Sequence, residues 1–394
     1  MDVLYISVLA SEAKINSEYK RTGRNPGFAV QKFSRLLVKG LLANGAKVLA
    51  LSNHGNIGSK LNADETEAGI HYKYIPYFNI PVIKHLCLLF YTFFYVLFWG
   101  VRKKKNGVVV CDILSVSTCI GAIVASWFNN VPKVAVVTDI FSLMAEKNSR
   151  NQSLMVRIAS RLNAMYSSSF DKYILLTEQM NEVVNPKDRP HIVMEALCDS
   201  SVLPVTIGQK AKDFPRTVLY AGGIHEIYGL KMLAEGFIKA NIEDAVLVYY
   251  GSGPYVEEYK KLCKQHPKLV YRGVASNEEV LEAELRASLL VNPRFSTEEF
   301  TKFSFPSKNM EYMASGTPLL TTNLPGMPQE YHPYVFFFKE ETVEGYAEAI
   351  RHALSFSEQE LQQFGQKARQ FVITNKNNIV QGQRILNFIG GKIS

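Results

Sequence analysis

Short apolar runs recur along this sequence, and segments of helical periodicity separate them. Val3–Val8, Lys47–Leu51, His71–Ile75, Gly107–Cys111, Lys133–Val137, Lys172–Leu176 and His191–Met194 read as strands. A loop over Thr22–Gly27 leads from the first of them into an amphipathic helix over Phe28–Ala43. Strand–helix alternation of this kind implies a parallel sheet with helices on both faces. The rhythm pauses over 199–215, a stretch holding Asp, Ser, Pro, Gly and Lys. It restarts at Thr217–Ala221, with a helix over Leu230–Ala240 and strands at Val246–Tyr250, Leu269–Arg272, Ser288–Asn292, Pro318–Thr322 and Val335–Phe338. The expected architecture is therefore α/β, with an N-terminal domain over 1–198, a linker over 199–215 and a C-terminal domain over 216–375. A closing helical segment over 376–394 follows, and its packing back on the first domain is left open. A single larger sheet is the alternative, but it leaves the linker unexplained.

The bulk properties narrow the partners. Hydrophobic residues make up 47% and charged residues 20%, the balance of a globular chain. A net charge of +8 without an Arg-rich tail points to anionic small partners or acidic lipid rather than nucleic acid. The five cysteines, Cys87, Cys111, Cys119, Cys198 and Cys263, form no Cys-x-x-Cys pair, so neither a disulfide framework nor a zinc site is expected. A reduced, cytoplasmic setting follows. The N-terminus has an acidic residue at position 2 and no basic region ahead of its apolar run, so it reads as a first buried strand.

Leu86–Val101 carries no charged residue and is crowded with Phe, Tyr, Leu and Trp99, and Arg102-Lys103-Lys104-Lys105 follow it. The run is apolar all round and shorter than the roughly 20 residues of a spanning helix. Three readings stand: a buried helix of the first domain, a helix set into a membrane surface with its basic end on anionic lipid, and a transmembrane span. The second is the expected one, through the region Leu86–Lys105.

The densest chemistry lies in Phe303-Ser-Phe-Pro-Ser-Lys-Asn-Met-Glu-Tyr-Met-Ala-Ser-Gly-Thr-Pro318. Pro306 suits the first turn of a helix, and Gly316 followed by Pro318 suits its end. Ser307, Lys308 and Glu311 share one side, and Met310, Met313 and Ala314 point to a neighbouring apolar side. Such a helix offers free N–H groups and Lys308 to an anion, and Glu311 to hydroxyls one turn further on. The competing reading is a capped surface helix with an incidental Lys–Glu pair.

Other candidates follow strands, where α/β folds bind ligands. Gly222-Gly223 lets backbone approach a phosphate, or makes a tight turn. Gly251-Ser-Gly253 has the same ambiguity. Val274 lies in a turn placed to read a nucleobase edge, or in a plain loop. Arg294 gains weight because Lys308 follows within one loop, so two cations converge on a diphosphate. In the first domain, Gly27 precedes a helix. Asp139 follows Lys133–Val137 as a catalytic or acceptor-hydroxyl carboxylate, or as a helix N-cap. Glu195 is a weaker candidate of the same kind. There is no Asp-x-Asp, no phosphate loop, no Gly-x-Gly-x-x-Gly after the first strand and no Gly-x-Ser-x-Gly elbow.

Ser304-Phe-Pro-Ser-Lys-x-x-Glu-Tyr-Met-Ala-Ser-Gly-Thr-Pro318 resembles the donor-site signature of retaining glycosyltransferases of the GT-B fold, in the large family numbered 4. The resemblance extends over nearly the whole chain, through the Pro26-Gly27 loop, the long apolar helix ahead of Asn106, Tyr220-Ala-Gly-Gly223 and Gly251-Ser-Gly253. It implies two doubly wound Rossmann-like domains facing a central cleft. It further implies that Glu311 binds ribose hydroxyls with Ser307 beside it, that Lys308, Arg294 and Gly222-Gly223 hold a diphosphate, and that Val274 contacts the base. Gly27 and Asp139 fall on the acceptor side, and no metal is expected. The catalytic set under this reading is Asp139, Lys308 and Arg294. The implied reaction moves a hexose, as a UDP-sugar, to a lipid-linked or polysaccharide-precursor acceptor in the cytoplasm at the inner face of the membrane. The sequence departs from the family's pattern in three places. Phe303 stands where many members have a first glutamate, Gly223 and Tyr228 stand where many have Arg and Lys, and Asp139 stands near where a His often lies. Lys308, Arg294 and Lys302 are the remaining cations. Two rivals remain, a sugar-nucleotide epimerase of the same fold and a catalytically decayed membrane-associated scaffold.

Overall fold

The computed structural model describes residues 1–23, 27–54, 64–78, 80–103, 106–141, 143, 154–200 and 211–391. Pro26, Lys104, Lys105 and residues 201–210 of the expected linker lie outside the described residues. The chain divides into two compact units, Met1–Leu197 with Asn378–Ser394, and Cys198–Asn377.

The first unit is built on an eight-stranded sheet. Its strands are β1 (Asp2–Ser7), β2 (Lys47–Ser52), β3 (Glu65–Glu67), β4 (Ile70–Tyr74), β5 (Gly107–Asp112), β6 (Lys133–Val137), β7 (Lys172–Leu175) and β8 (His191–Val193). They lie in the order β3-β4-β2-β1-β5-β6-β7-β8. All pair in parallel except β3, which runs antiparallel on β4. Every residue of β5 is buried, which is why a strand with helices on both faces reads as an unbroken apolar run. The sequence expectation did not include β3, because Glu-Thr-Glu at a sheet edge carries no apolar signal. The helices are α1 (Glu12–Thr22), α2 (Phe28–Ala43), α3 (Pro81–Lys103), α4 (Val116–Asn129), α5 (Leu154–Ser167) and α6 (Met180–Val184).

One side of α3 packs on α4. Leu88, Thr92, Val96 and Gly100 recur every four residues and are buried. A Cβ on Gly121 of α4 would sit 2.4 Å from the Leu89 carbonyl oxygen, and one on Gly100 would sit 1.9 Å from Asn129 Nδ2, so both helices need glycine where they cross. Asn129 Nδ2 donates to the Val96 carbonyl at 3.1 Å. Half a turn away, Leu86, Phe90, Phe94 and Phe98 form an exposed stripe that starts at Val82 and ends at Val101. Trp127 and Phe128 at the end of α4 are exposed as well. The helix is therefore not a core helix.

The second unit carries a six-stranded, all-parallel sheet. Its strands are β9 (Arg216–Gly223), β10 (Ala245–Ser252), β11 (Leu269–Gly273), β12 (Leu289–Asn292), β13 (Leu319–Thr322) and β14 (Phe336–Phe338), in the order β11-β10-β9-β12-β13-β14. Its helices are α7 (Leu230–Ala240), α8 (Val256–Gln265), α9 (Asn277–Arg286), α10 (Ser307–Ser315), α11 (Val343–Leu354) and α12 (Glu358–Asn375). Val218, Leu247, Leu289, Tyr346 and Ile350 lie at the centre of the core. The last helix, α13 (Asn378–Ile389), belongs to the first unit. It crosses α2 so closely that a Cβ on Gly40 would sit 2.0 Å from the Asn378 carbonyl oxygen. Lys172 Nζ donates to the Phe388 carbonyl at 2.6 Å.

In both sheets the strand order reverses once, between β1 and β5 and between β9 and β12. The carboxyl ends of these strand pairs are where a doubly wound fold has room for a ligand.

Candidate functional site

At the second switch point, β9 and β12 pair only through Val218 and Leu219, then splay. The N–H and C=O of Ala221 consequently have no ladder partner on β12. The Tyr312 hydroxyl takes both: it accepts from Ala221 N at 2.9 Å and donates to Ala221 O at 3.2 Å. Tyr312 sits on α10 and is fully buried. Asn309, one turn earlier, accepts from Asn292 Nδ2 at 2.6 Å and donates to Thr321 Oγ1 at 3.3 Å. Three strand ends therefore hold one short helix in place. Met310 and Met313 are buried with Asn309 and Tyr312. Ser307, Lys308, Glu311 and Ala314 form the outer side. Ala314 thus falls outside the apolar face expected for it, and its carbonyl accepts from Arg369.

The start of α10 carries no side-chain cap and no acidic residue in its first turn. Pro306 is the N-cap, and Gly316 closes the helix with φ 80°. The first turn thus presents backbone N–H groups and the positive end of the helix dipole. Lys308 lies beside it with its stem against the tip of β9. A Cβ on Gly222 would meet Lys308 Cε at 2.3 Å, Lys308 Nζ at 3.1 Å and the Tyr220 hydroxyl at 3.1 Å. Glycine at 222 is what lets the ammonium reach the strand end. Gly251 is opposite Gly222 in the ladder, and its Cβ would meet the Gly222 carbonyl oxygen at 1.8 Å. That contact alone requires glycine at 251.

Arg294 follows β12 and lies with its guanidinium carbon 5.0 Å from the centroid of the Tyr228 ring. Tyr228 occupies the place where the resemblance puts a lysine, and it holds a cation instead of being one. The His225 ring is 5.1 Å from Tyr228 and lies over Gly223, whose Cβ would meet it at 3.2 Å. Burial pushes the Tyr220 phenol up, and the charge of Arg294 pulls it partly back, so Arg294 is close to Tyr220 as well. Gly222, Gly223, Arg294 and Lys308 are thus gathered round Tyr220 and Tyr228. Sequence reasoning did not single out His225, Tyr220 or Tyr312; Tyr220 and Tyr312 owe their places to the long-range contacts with Tyr249 and Ala221.

Glu311 is half-buried one turn beyond Lys308. Val274 follows β11 and Gly273, whose φ is 79°, and is 73% exposed. Lys302 and Phe303 lie on the short turn Glu299–Phe303 just ahead of α10.

In the first unit, two carboxylates stand at the ends of adjacent strands. Asp139 follows β6 and is half-buried. Asp112 ends β5, is buried, and accepts from Leu114 N at 3.0 Å. Burial is the main cause that raises the Asp112 carboxyl to about 6, against the Leu114 hydrogen bond and aided by the charge of Asp139. Asp112 was missed in the sequence because an Asp closing a strand looks like a turn residue. Glu195 is buried after β8. Gly27 caps α2 with φ 82°. Behind the end of β2, His54 Nε2 and Glu18 Oε2 pair at 2.8 Å, both buried.

Residues 215–355, within the second unit, match the family described as Glycosyl transferases group 1. No curated protein matches the sequence. Solved structures that resemble the whole chain include HepE of Anabaena in complex with UDP, at a TM-score of 0.63, 11% identity and coverage of 99% and 100% of the two chains. A glycosyltransferase from Rickettsia africae resembles it at 0.65 and 12%, covering 99% and 98%. WaaB, a lipopolysaccharide outer core galactosyltransferase, resembles it at 0.61 and 11%, covering 100% of both. The fold is GT-B, and with the family match the chain is a glycosyltransferase.

Proposed function

We propose that the chain moves a hexose from a UDP-sugar to a lipid-linked saccharide or polysaccharide precursor, with retention at the anomeric carbon. The observation that carries this reading is the convergence at the β9/β12 switch point. The uncapped start of α10, Lys308 against Gly222 and Arg294 on Tyr228 supply backbone donors and two cations where a diphosphate fits. The match to Glycosyl transferases group 1 and the UDP in the HepE structure support the ligand class.

The chemistry follows from charge. As the bond from anomeric carbon to phosphate oxygen breaks, negative charge grows on the diphosphate. Lys308, Arg294 and the N–H groups of α10 are already in place to stabilise it, so little reorganisation accompanies the step. Glu311, with Ser307 beside it, holds the ribose hydroxyls, and Val274 and its turn hold the base. Asp139 orients the acceptor hydroxyl, with Gly27 on the same side, and a phosphate oxygen of the departing diphosphate takes the proton. The positive charge comes from side chains and backbone, so no metal is invoked; the absence of Asp-x-Asp in the sequence agrees.

The setting we propose is cytoplasmic, peripheral on the inner face of the cell membrane, in surface-polysaccharide assembly. The exposed stripe of α3 followed by Arg102 and Lys103 supports it. The test of the donor site is calorimetry with a UDP-sugar on Glu311→Ala. A marked loss of affinity is expected, and wild-type affinity in this variant would refute the assignment. Turnover of the sugar nucleotide without any acceptor would instead favour an epimerase.

A further inference from the structure

A cavity of about 500 Å³ lies inside the first unit, at the carboxyl ends of the strands around its switch point. Its wall is apolar: Leu86 and Leu88 of α3, Leu114 after β5, Phe141 after β6, and Ile158 and Leu162 of α5. The few polar groups are local. His85 Nδ1 and Ser117 Oγ pair at 2.9 Å, and Asn53, which also lines the cavity, has a buried Oδ1 with no hydrogen-bond partner in the protein.

Two features identify the occupant. First, the cavity opens on the exposed stripe, because Leu86 belongs to both and Ile158 at the wall is itself exposed. Second, the described helices around the cavity carry charge of one sign. None of α3, α4 and α5 contains an Asp or Glu. Lys84 and His85 of α3 line the cavity themselves, and the exposed Arg157 and Arg161 of α5 are the sequence neighbours of the lining residues Ile158 and Leu162. An apolar slot with a cationic rim, entered from an apolar surface, suits a hydrocarbon chain that carries a phosphate. Leu114 and Phe141 each stand two residues from Asp112 and Asp139, so the rim of the slot runs close to the acceptor-side carboxylates.

We propose that this cavity holds the first segment of the acceptor's lipid chain, with its phosphate at the rim formed by His85, Arg157 and Arg161. The proposal rests on the lipid-linked-acceptor reading and adds the place where the lipid is held. A chain seated there fixes the saccharide end near Asp139 while the rest of the lipid runs along the α3 stripe towards the membrane.

The test uses the full chain and a photoreactive farnesyl monophosphate, with binding titrated and the cross-links mapped. Cross-links are expected on α3 and α5. Ala159→Phe, which fills the cavity, and Ile158→Glu, which charges its exposed mouth, are each expected to weaken the probe at least about tenfold while UDP affinity stays unchanged. Phe94→Ser, on the stripe beyond the cavity, is expected to leave probe binding intact. Cross-links elsewhere, or wild-type probe affinity in both cavity variants, would overturn the proposal. Equal displacement of the probe by phosphatidylglycerol and by unlabelled farnesyl monophosphate would also overturn it, since the site would then be one for bulk lipid. Turnover on a lipid-linked saccharide that Ala159→Phe leaves intact removes the cavity alone. Turnover only on a lipid-free saccharide removes the acceptor reading with it.

Discussion

Replacing Lys308 with methionine separates the diphosphate from the rest of the donor. Methionine keeps an unbranched stem against Gly222 and removes only the charge. The ammonium lies 5.8 Å from the Tyr312 ring centroid, near the outer limit of a useful cation–π contact, and that contact is worth about 0.5 kcal/mol. A charge-assisted hydrogen bond to phosphate is worth about 1.5–3 kcal/mol, and about 1.4 kcal/mol is tenfold in affinity. Lys308→Met should therefore weaken UDP by about 10- to 150-fold. Uridine, which has the ribose and base but no phosphate, should bind the variant as it binds the wild type. Glu311→Gln gives the opposite contrast, weakening uridine and UDP together. Calorimetry with both ligands on both variants reads the difference directly. Equal losses for UDP and uridine in Lys308→Met, or none for either, would refute the placement of the diphosphate at the start of α10.

Tyr312→Phe removes the hydroxyl that serves Ala221 and should cost about 1–3 kcal/mol in urea unfolding, because a buried N–H and C=O are left unpaired; an unchanged midpoint would mean that the strand end finds another partner. Asp112 is protonated more readily in the folded chain, at about 6 against an ordinary 3.8, so its neutral form favours the fold below the lower value. That contribution, about 3 kcal/mol by linkage, is lost as pH rises from 4 to 6, and Asp112→Asn should flatten the fall in a pH series of denaturation midpoints. Phe94→Glu places a charge in the exposed stripe and should abolish flotation with anionic vesicles at low salt without altering UDP affinity; full flotation of this variant would exclude the stripe as the contact surface.

Much of the fold was legible because buried parallel strands leave a mark that needs no partner. Lys133–Val137 and the helices Phe28–Ala43 and Leu230–Ala240 have the expected bounds. The polar edge strand Glu65–Glu67 left none. In the candidate site, the face of α10 that carries Ser307, Lys308 and Glu311 was legible because capping and period are local. Their company was not. Gly222 and Lys308 are far apart in sequence, and only the splaying of β9 from β12 brings them together. Arg294 gave no hint of Tyr228, since a cation over a ring has no spacing rule. In α3, an all-round apolar sequence concealed which side is exposed. The glycines at 100 and 121 decide it, by allowing α4 to approach one side only.

The chain leaves the first unit at Leu197 and returns to it at Asn378. The two ends of the intervening segment meet, for Cys198 N donates to the Lys376 carbonyl at 2.9 Å and Cys198 bridges Asn377. During synthesis this fixes an order of completion. The second unit has all its chain once Asn377 is added, whereas the first waits for α13 to cover α2 and seat Ile385 in its core. A chain stopped at Asn377 is accordingly expected to bind UDP while its N-terminal half stays sensitive to protease, and protection of both halves would show that α13 is dispensable.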